Sequence, residues 1–243
     1  MAVDSNEILE VLRQVDAQRA LRGADPALAS AVAALKRYQQ ERFRRTYRDL
    51  LDSPRFGDAA RFFLEELYGP ADFTARDAQF ARVVPALVRL FPAEVVRTVF
   101  ALVRLHALTE ELDSAMATLL NGTTIDRDAY MQAWRTTGRE EARRQQLALT
   151  IEVGLDLDRL TRKPLLRQTL HLMRGPARAA GLQNLQAFLE RGFDAFRSMR
   201  GAQPFLDLIT QREGELIRTL FAAAPDGPAQ SGASATDVLG QLP

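Results

Sequence analysis

The sequence contains no cysteine and only two histidines, His106 and His171. Without thiols the chain cannot form disulfides, thiolate nucleophiles, or zinc and iron–sulfur sites ligated by cysteine. Two histidines so far apart also exclude an HExxH motif or a histidine-rich metal site. We therefore expect no metal site and no cofactor, and we assign no residue a catalytic role.

The sequence also lacks a long apolar run and an excess of charge of one sign. No uncharged apolar stretch of about 18 residues is present, which excludes a transmembrane helix. Lysine and arginine total 32 against 31 acidic residues, so a wholly basic nucleic-acid-binding protein is not expected. Residues 1–7 lack the pattern of a secretory signal. We expect a cytoplasmic protein, and its many arginines and alanines are typical of a bacterial GC-rich genome.

What is present is the pattern of helices joined by short turns. Asp25-Pro26 combines a capping residue with proline at the first helical position, while Gly69-Pro70 and Asn121-Gly122 are typical helix ends. The sequence predicts an all-α fold, a multi-helix bundle of roughly nine or ten helices with short turns. The predicted helices cover about 6–22, 26–51, 59–68, 74–91, 92–120, 129–137, 139–162, 164–173, 182–199 and 205–223.

Only residues 147–157 resist this interpretation, because their leucine, isoleucine and valine residues alternate as in a strand. A single strand has nothing to pair with, so we predict a helix there as well. We expect one domain over 1–223, with a possible subdivision near 121–125. Residues 224–243 are rich in Ala, Gly, Ser, Pro and Asp and predict a flexible tail.

The string RFFLEELYGP at 61–70 is the most distinctive in the chain. Together with FTARDAQFARVVP at 73–85 and LHALTEELD at 105–113, it resembles a bacterial protein family named for its FFLEELY motif. The resemblance covers about residues 38–164. It implies an uncharacterised family without an assigned activity, so no functional residues follow from it.

A group of ionisable residues falls on helix faces that should be buried. In the helix over 92–120, polar residues recur at every seventh position from Arg97 and form one polar stripe. His106, Glu110 and Asp113 lie on the opposite, apolar side of this helix. Arg76 lies on the apolar face of the preceding helix, and antiparallel packing of the two helices would place it level with residue 107. The sequence therefore predicts a buried polar cluster whose members are Glu66, Arg76, Asp77, His106, Glu110 and Asp113.

The cluster has two interpretations. In the structural interpretation, which we favour, it is a salt-bridged network that fixes the register of the helices. A polar ligand or metal site inside the bundle is the functional one, but His106-x-x-x-Glu110 has neither the order nor the spacing of the Glu-x-x-His pairs found in bundle metal sites.

Other features have similarly plain explanations. The basic segment 36–48 contains three aromatic residues and could contact phosphates, but acidic residues interrupt it, so a solvated helix face is the simpler interpretation and nucleic-acid binding is not expected. Aromatic residues in the middle of the chain suit an apolar-ligand cavity, although helical spacing favours a core role. Trp134 is a candidate anchor for a partner or a plug at the core edge.

These patterns leave the function open. The first interpretation is a non-enzymatic helical protein that acts by binding, as an adaptor, regulator or self-associating scaffold, with a protein partner or a second copy as its target. The alternative is an enzyme or carrier with a polar or metal site around Arg76, His106, Glu110 and Asp113. The second alternative is a binder of apolar ligands.

Overall fold

The computed structural model describes residues 3–67, 73–120, 124–222, 239 and 241–243. The first half contains α1 Ser5–Ala24, α2 Pro26–Thr46, α3 Arg48–Leu51, α4 Gly57–Phe62, a π-helical turn Phe63–Leu67, α5 Thr74–Leu90 and α6 Ala93–Ala117. The second half contains α7 Arg127–Thr137, α8 Glu140–Thr161, α9 Pro164–Leu172, α10 Arg174–Ala179, α11 Gln183–Ser198 and α12 Gln203–Ala222. No strand occurs within these ranges, and the predicted all-α multi-helix bundle is confirmed.

Local signals set most of the helix boundaries. The Asp4 side chain accepts hydrogen bonds from the first turn of α1, and the Asp4 backbone N–H donates to the Glu7 carboxylate, forming a capping box. Asp25 caps α2 as predicted, with Pro26 at its first position, and Asp126 caps α7. Gly138 ends α7 with a φ of 63°, a conformation that favours glycine.

The prediction of one helix over 26–51 is wrong. The chain leaves helical geometry at Tyr47, whose φ is −116° and ψ 25°, and α3 follows as a separate turn. Tyr47 is fully buried, and its hydroxyl donates a 2.7 Å hydrogen bond to Glu213 of α12. A contact with a residue far along the chain therefore fixes the break.

The long helix α6 lies at the centre of the bundle. It packs most extensively against α8 and α1, with α2 and α7 beside it. Its predicted polar stripe is outermost, since Arg97, Arg104 and Thr118 are exposed. Residues 147–157, with their strand-like alternation, lie within α8, where Leu149 and Val153 are buried against α6.

Two aromatic-rich parts of the core lie on either side of this centre. One contains Phe63, which packs against Phe196 and Phe205 with ring centroids 5.9 and 5.6 Å apart. The other contains Trp134, which is 6% exposed and packs beside Tyr130. The structure therefore places Trp134 in the core.

The end of the chain returns to this second part of the core. Leu242 is buried with the side chains of α2, α7 and α12, and Arg45 donates to its carbonyl oxygen at 3.2 Å. Most of the predicted tail, residues 224–238 and 240, lies outside the described residues, as do residues 121–123 at the possible subdivision. The expected domain division and tail flexibility stay predictions.

Candidate functional site

A cavity of about 110 Å³ lies beside α6, and we call it the central cavity. Its walls come from α1, α2, α5, α6, α8, α11 and the π-helical turn. One wall is apolar and includes Phe63, Phe73, Phe80, Val99, Leu102 and Phe188. Three of the aromatic residues expected in the core, Phe63, Phe73 and Phe80, therefore surround open space.

The rest of the lining is mainly polar, and we call it the polar wall. It contains all six members of the predicted cluster, Glu66, Arg76, Asp77, His106, Glu110 and Asp113. Lys36, Gln39, Thr109 and Thr150 complete this wall. The structure thus brings together side chains from α2, the π-helical turn, α5, α6 and α8 around one cavity.

Asp77 is the most heavily contacted carboxylate of the polar wall. Its oxygens lie 2.8 Å from Nε2 of His106, 2.5 Å from Nη2 of Arg19 and 3.2 Å from Nε of Arg76. Burial alone would raise the pKa of Asp77, but the hydrogen bond from His106 and the neighbouring positive charges outweigh it and hold that pKa well below its ordinary value. Asp77 is therefore a carboxylate that joins α1, α5 and α6.

Glu110 forms a second buried ion-pair centre. Nζ of Lys36 lies 2.6 Å from one of its oxygens, and Arg22 binds the other. Burial opposes ionisation of Glu110, but the charges of Lys36 and Arg22 lower its pKa to about 2. The carboxylate consequently links α1 and α2 to α6.

Asp113 lies one turn further along α6, and its pKa shifts in the direction opposite to that of Glu110. It is 2% exposed and accepts one hydrogen bond, from Nε2 of Gln39 at 3.2 Å. Burial raises the pKa of Asp113, and the nearby charge of Glu110 adds to that effect. Asp77 and Glu110 therefore have lowered pKa values, whereas burial raises the pKa of Asp113 in the same wall.

Arg76 is held between two aromatic rings. Its guanidinium carbon lies 4.1 Å from the ring centroid of Phe73 and 4.6 Å from that of Phe188, distances typical of cation–π contacts. Nη1 donates to the backbone carbonyl of Glu66 at 3.2 Å. The Glu66 carboxylate binds Arg191 of α11 at 2.7 Å, so the π-helical turn contacts both α5 and α11.

The expected pairing of Arg76 with Glu110 is not formed. Helix α5 has little contact with α6, because α1 packs against both helices and brings Arg22 to Glu110. Arg19, Arg22, Lys36 and Gln39 are therefore functional-site neighbours that sequence reasoning missed. For Arg19 and Arg22 the only signal was that the two arginines stand three residues apart on α1, a spacing equally typical of a solvated face, and Lys36 belongs to the basic segment 36–48.

Cationic side chains surround the carboxylates of Asp77 and Glu110. Four of them contact these two carboxylates: Arg19, Arg22, Lys36 and Arg76. Lys36 and Arg76 line the central cavity together with Asp77 and Glu110, whereas Arg19 and Arg22 are not among its lining residues. Arg19 also lies 3.5 Å from the exposed Asp16. Glu66 and Arg191 balance each other.

Searches for other kinds of site are negative for the residues that the structure describes. They contain no group of three or more His, Cys, Asp or Glu side chains arranged to hold a metal ion. Among these same residues, no helix has the length and hydropathy needed to cross a bilayer.

Comparisons with known proteins place the chain in a family without adding an activity. Neither the curated proteins nor the solved structures include a match. A family model described as a domain of unknown function (DUF8198) matches residues 18–227, which include the π-helical turn and all six members of the polar cluster. Because the match spans most of the sequence, the chain belongs to the DUF8198 family.

Proposed function

We propose that this protein binds a small amphipathic anion, a short branched carboxylate, in the central cavity. The observation that carries the proposal is that apolar side chains and two cationic side chains, Lys36 and Arg76, line the same small cavity. The apolar body of the ligand would pack against Phe63, Phe80 and Leu102. Its carboxylate would face Lys36 and Arg76.

The cavity volume limits the size of the ligand. About 110 Å³ is available, whereas an engineered apolar cavity of about 150 Å³ accommodates benzene. Pockets for drug-sized ligands are larger, about 300–1,000 Å³. The cavity is smaller than the one that accommodates benzene, so a ligand with a short branched chain fits better than one with a ring.

Lys36 and Arg76 determine the charge of the proposed ligand. Hydrogen bonds from ammonium and guanidinium groups are stronger when the acceptor is a carboxylate than when it is neutral. A carboxylate beside Lys36 and Arg76 would accept such hydrogen bonds, whereas a cationic ligand would be repelled by both side chains.

The arrangement favours binding over catalysis. The hydroxyl of Thr109 donates to the backbone of its own helix and accepts from Gln146, and that of Thr150 donates to the carbonyl of Gln146. Neither hydroxyl contacts His106. The His106–Asp77 pair does resemble a base held by a carboxylate, and general acid–base catalysis on the bound anion is the second candidate function.

Calorimetric titration with sodium isovalerate, sodium benzoate and the neutral 3-methyl-1-butanol tests the proposal. We expect saturable, one-to-one binding of isovalerate, at least tenfold weaker binding of 3-methyl-1-butanol, and weaker binding of the larger benzoate. Val99→Phe places a ring in the cavity and should abolish binding. Arg104→Met, on the exposed stripe of the same helix, is the matched control and should bind normally.

Two results would contradict the proposal. One is equal affinity for isovalerate and 3-methyl-1-butanol, which would show that the positive charge does not select the ligand. The other is a folded protein that binds none of the three probes, or binds them unchanged in Val99→Phe. Turnover of a bound carboxylate that is lost in His106→Gln would favour the second candidate function.

The broader expectations from the sequence stay predictions. These are a regulatory or adaptor role, a protein partner or self-association, location in the cytoplasm, and a bacterial origin within the FFLEELY-motif family. A small-molecule binder can act as a regulator when its ligand changes its affinity for a partner, so the proposal is compatible with that first interpretation.

A further inference from the structure

A second, smaller cavity of about 40 Å³ lies on the other side of Asp113, and we call it the inner cavity. Its walls come from α2, α6, α7, α8 and α12. Gln39, Thr109, Asp113 and Thr150 line both cavities and separate them. The proposed ligand of the central cavity therefore does not occupy this space.

The inner cavity is surrounded by polar atoms that have no partner. Among the described residues, four buried side-chain polar atoms make no hydrogen bond, and three of them belong to its lining: Nε of Arg42, the hydroxyl of Tyr130 and Nε1 of Trp134. These residues are 6%, 0% and 6% exposed. An unpaired buried polar group is unfavourable, so three around one cavity favour the binding of a ligand that pairs with them.

A ligand that pairs with these three atoms must accept hydrogen bonds from them. Indole Nε1 and guanidinium Nε carry only a proton to donate. Burial raises the pKa of Tyr130, so its phenol keeps its proton and can donate as well. The same phenol lies within the electrostatic influence of Arg42 and Arg143. Hydrogen bonds from such donors are strongest when the acceptor is negatively charged.

We propose that the inner cavity is a binding site for a small monoanion, a halide or a one- or two-carbon carboxylate. Its volume admits about three water-sized groups, which a chloride ion or a formate fills. The anion would accept hydrogen bonds from Arg42, Tyr130 and Trp134. It would also offset the guanidinium of Arg143, which lies 4.2 Å from the Trp134 ring.

Trp134 is the only tryptophan in the chain and reports directly on this site. The full-length protein is dialysed into sodium gluconate, whose anion is too large for the cavity. It is then titrated with sodium chloride or sodium formate at constant ionic strength while tryptophan fluorescence is recorded. We expect a saturable change in fluorescence with at least one of the two anions. The anion that saturates at the lower concentration is the preferred one.

Tyr130→Phe removes one donor without changing the ring. We expect anion affinity to fall roughly ten- to a hundredfold, the effect of one hydrogen bond to a charged group. In gluconate the same variant should melt at the same or a higher temperature, because it lacks a buried hydroxyl without a partner. Tyr38→Phe is the control: Tyr38 stacks on Tyr130 at 4.5 Å, but its hydroxyl contacts Pro243 outside the cavity.

The proposal is overturned if neither anion produces a saturable change in the folded protein, or if Tyr130→Phe binds as the unaltered protein does. Either result would mean that the cavity holds water only. Because isovalerate plays no part in this titration, the outcome is independent of the ligand proposed for the central cavity.

Discussion

His106 and Asp77 meet across the polar wall, with Nε2 of His106 2.8 Å from a carboxylate oxygen of Asp77. The same carboxylate binds Arg19 of α1 and Arg76 of α5. One acidic side chain therefore holds three helices at the edge of the central cavity. Its negative charge also offsets the repulsion between the guanidinium groups of Arg19 and Arg76.

Asp77→Asn should destabilise the fold by about 3 kcal/mol, since removing one partner of a buried ion pair leaves the other charges uncompensated. Urea denaturation followed by circular dichroism measures this. Asp16→Asn removes the exposed contact of Arg19 and should change the free energy of unfolding by less than about 1 kcal/mol. Equal effects of the two substitutions would contradict the role given to Asp77.

The stability of the protein should fall in acid. The pKa of Glu110 is about 2 in the folded protein and 4.5 in the ordinary state, and that of Asp77 is lowered as well. A carboxylate with a lowered pKa stabilises the fold above its ordinary pKa and loses that contribution as pH falls toward the folded value. For Glu110 the loss is roughly 3 kcal/mol between about pH 4.5 and 2.

Denaturation at a series of pH values measures this dependence, and Glu110→Gln provides the comparison. The variant should be less stable at pH 7, because Arg22 and Lys36 lose their partner, and its stability should fall less steeply below pH 4.5. An unaltered protein equally stable at pH 5 and pH 3 would contradict the assignment.

Asp113→Asn should not destabilise the protein at pH 7, unlike Glu110→Gln. Burial raises the pKa of Asp113, and a carboxyl group with a raised pKa opposes folding increasingly as pH rises above its ordinary pKa. Asparagine keeps the acceptor for Gln39 and removes the ionisation. We therefore expect unchanged or increased stability at pH 7, with a gain that grows between pH 4 and 7. A large loss of stability would show that Asp113 is needed as a carboxylate.

Two helical glycines should respond in opposite directions to alanine. A Cβ at Gly154 in α8 would lie 2.5 Å from Cδ2 of the buried Leu206, and overpacking of this kind costs about 1–3 kcal/mol. A Cβ at Gly214 in α12 meets nothing within 4 Å, so alanine there should stabilise the helix by about 0.5–1 kcal/mol. Melting temperatures of the two variants compare these effects. A stabilised Gly154→Ala would mean that α8 and α12 can separate slightly.

Much of the fold was predictable because its signals are local. Capping by Asp25 or Asp126 depends on residues within one turn, and the inward face of α6 follows from its periodicity alone. His106, Glu110 and Asp113 could therefore be placed on a buried face from the sequence. Their shared cavity with Arg76 and Asp77 followed from two neighbouring helices.

Partners from distant segments were not predictable in the same way. Lys36 and Arg22 reach Glu110 because α1 and α2 pack beside α6, and no periodicity in any one helix encodes that placement. The break at Tyr47 depends on Glu213, and the wide turn at Phe63–Leu67 has no local pattern that distinguishes it from an α-helix. Contacts between segments distant in the chain decide the partners of Glu110, the break at Tyr47 and the turn at Phe63–Leu67.

The π-helical turn makes the length of this segment as important as its composition. It occupies Phe63–Leu67 within the FFLEELY string, between Phe62, whose ring packs on Phe188, and the residues that follow. Loss of one residue here would turn the wide turn into an ordinary α-helical turn and change the directions of the groups within it. Glu66 would then turn away from Arg191, and the Glu66 carbonyl from Arg76. Substitutions could preserve the shape of the cavity, whereas a single deletion would dismantle one of its walls.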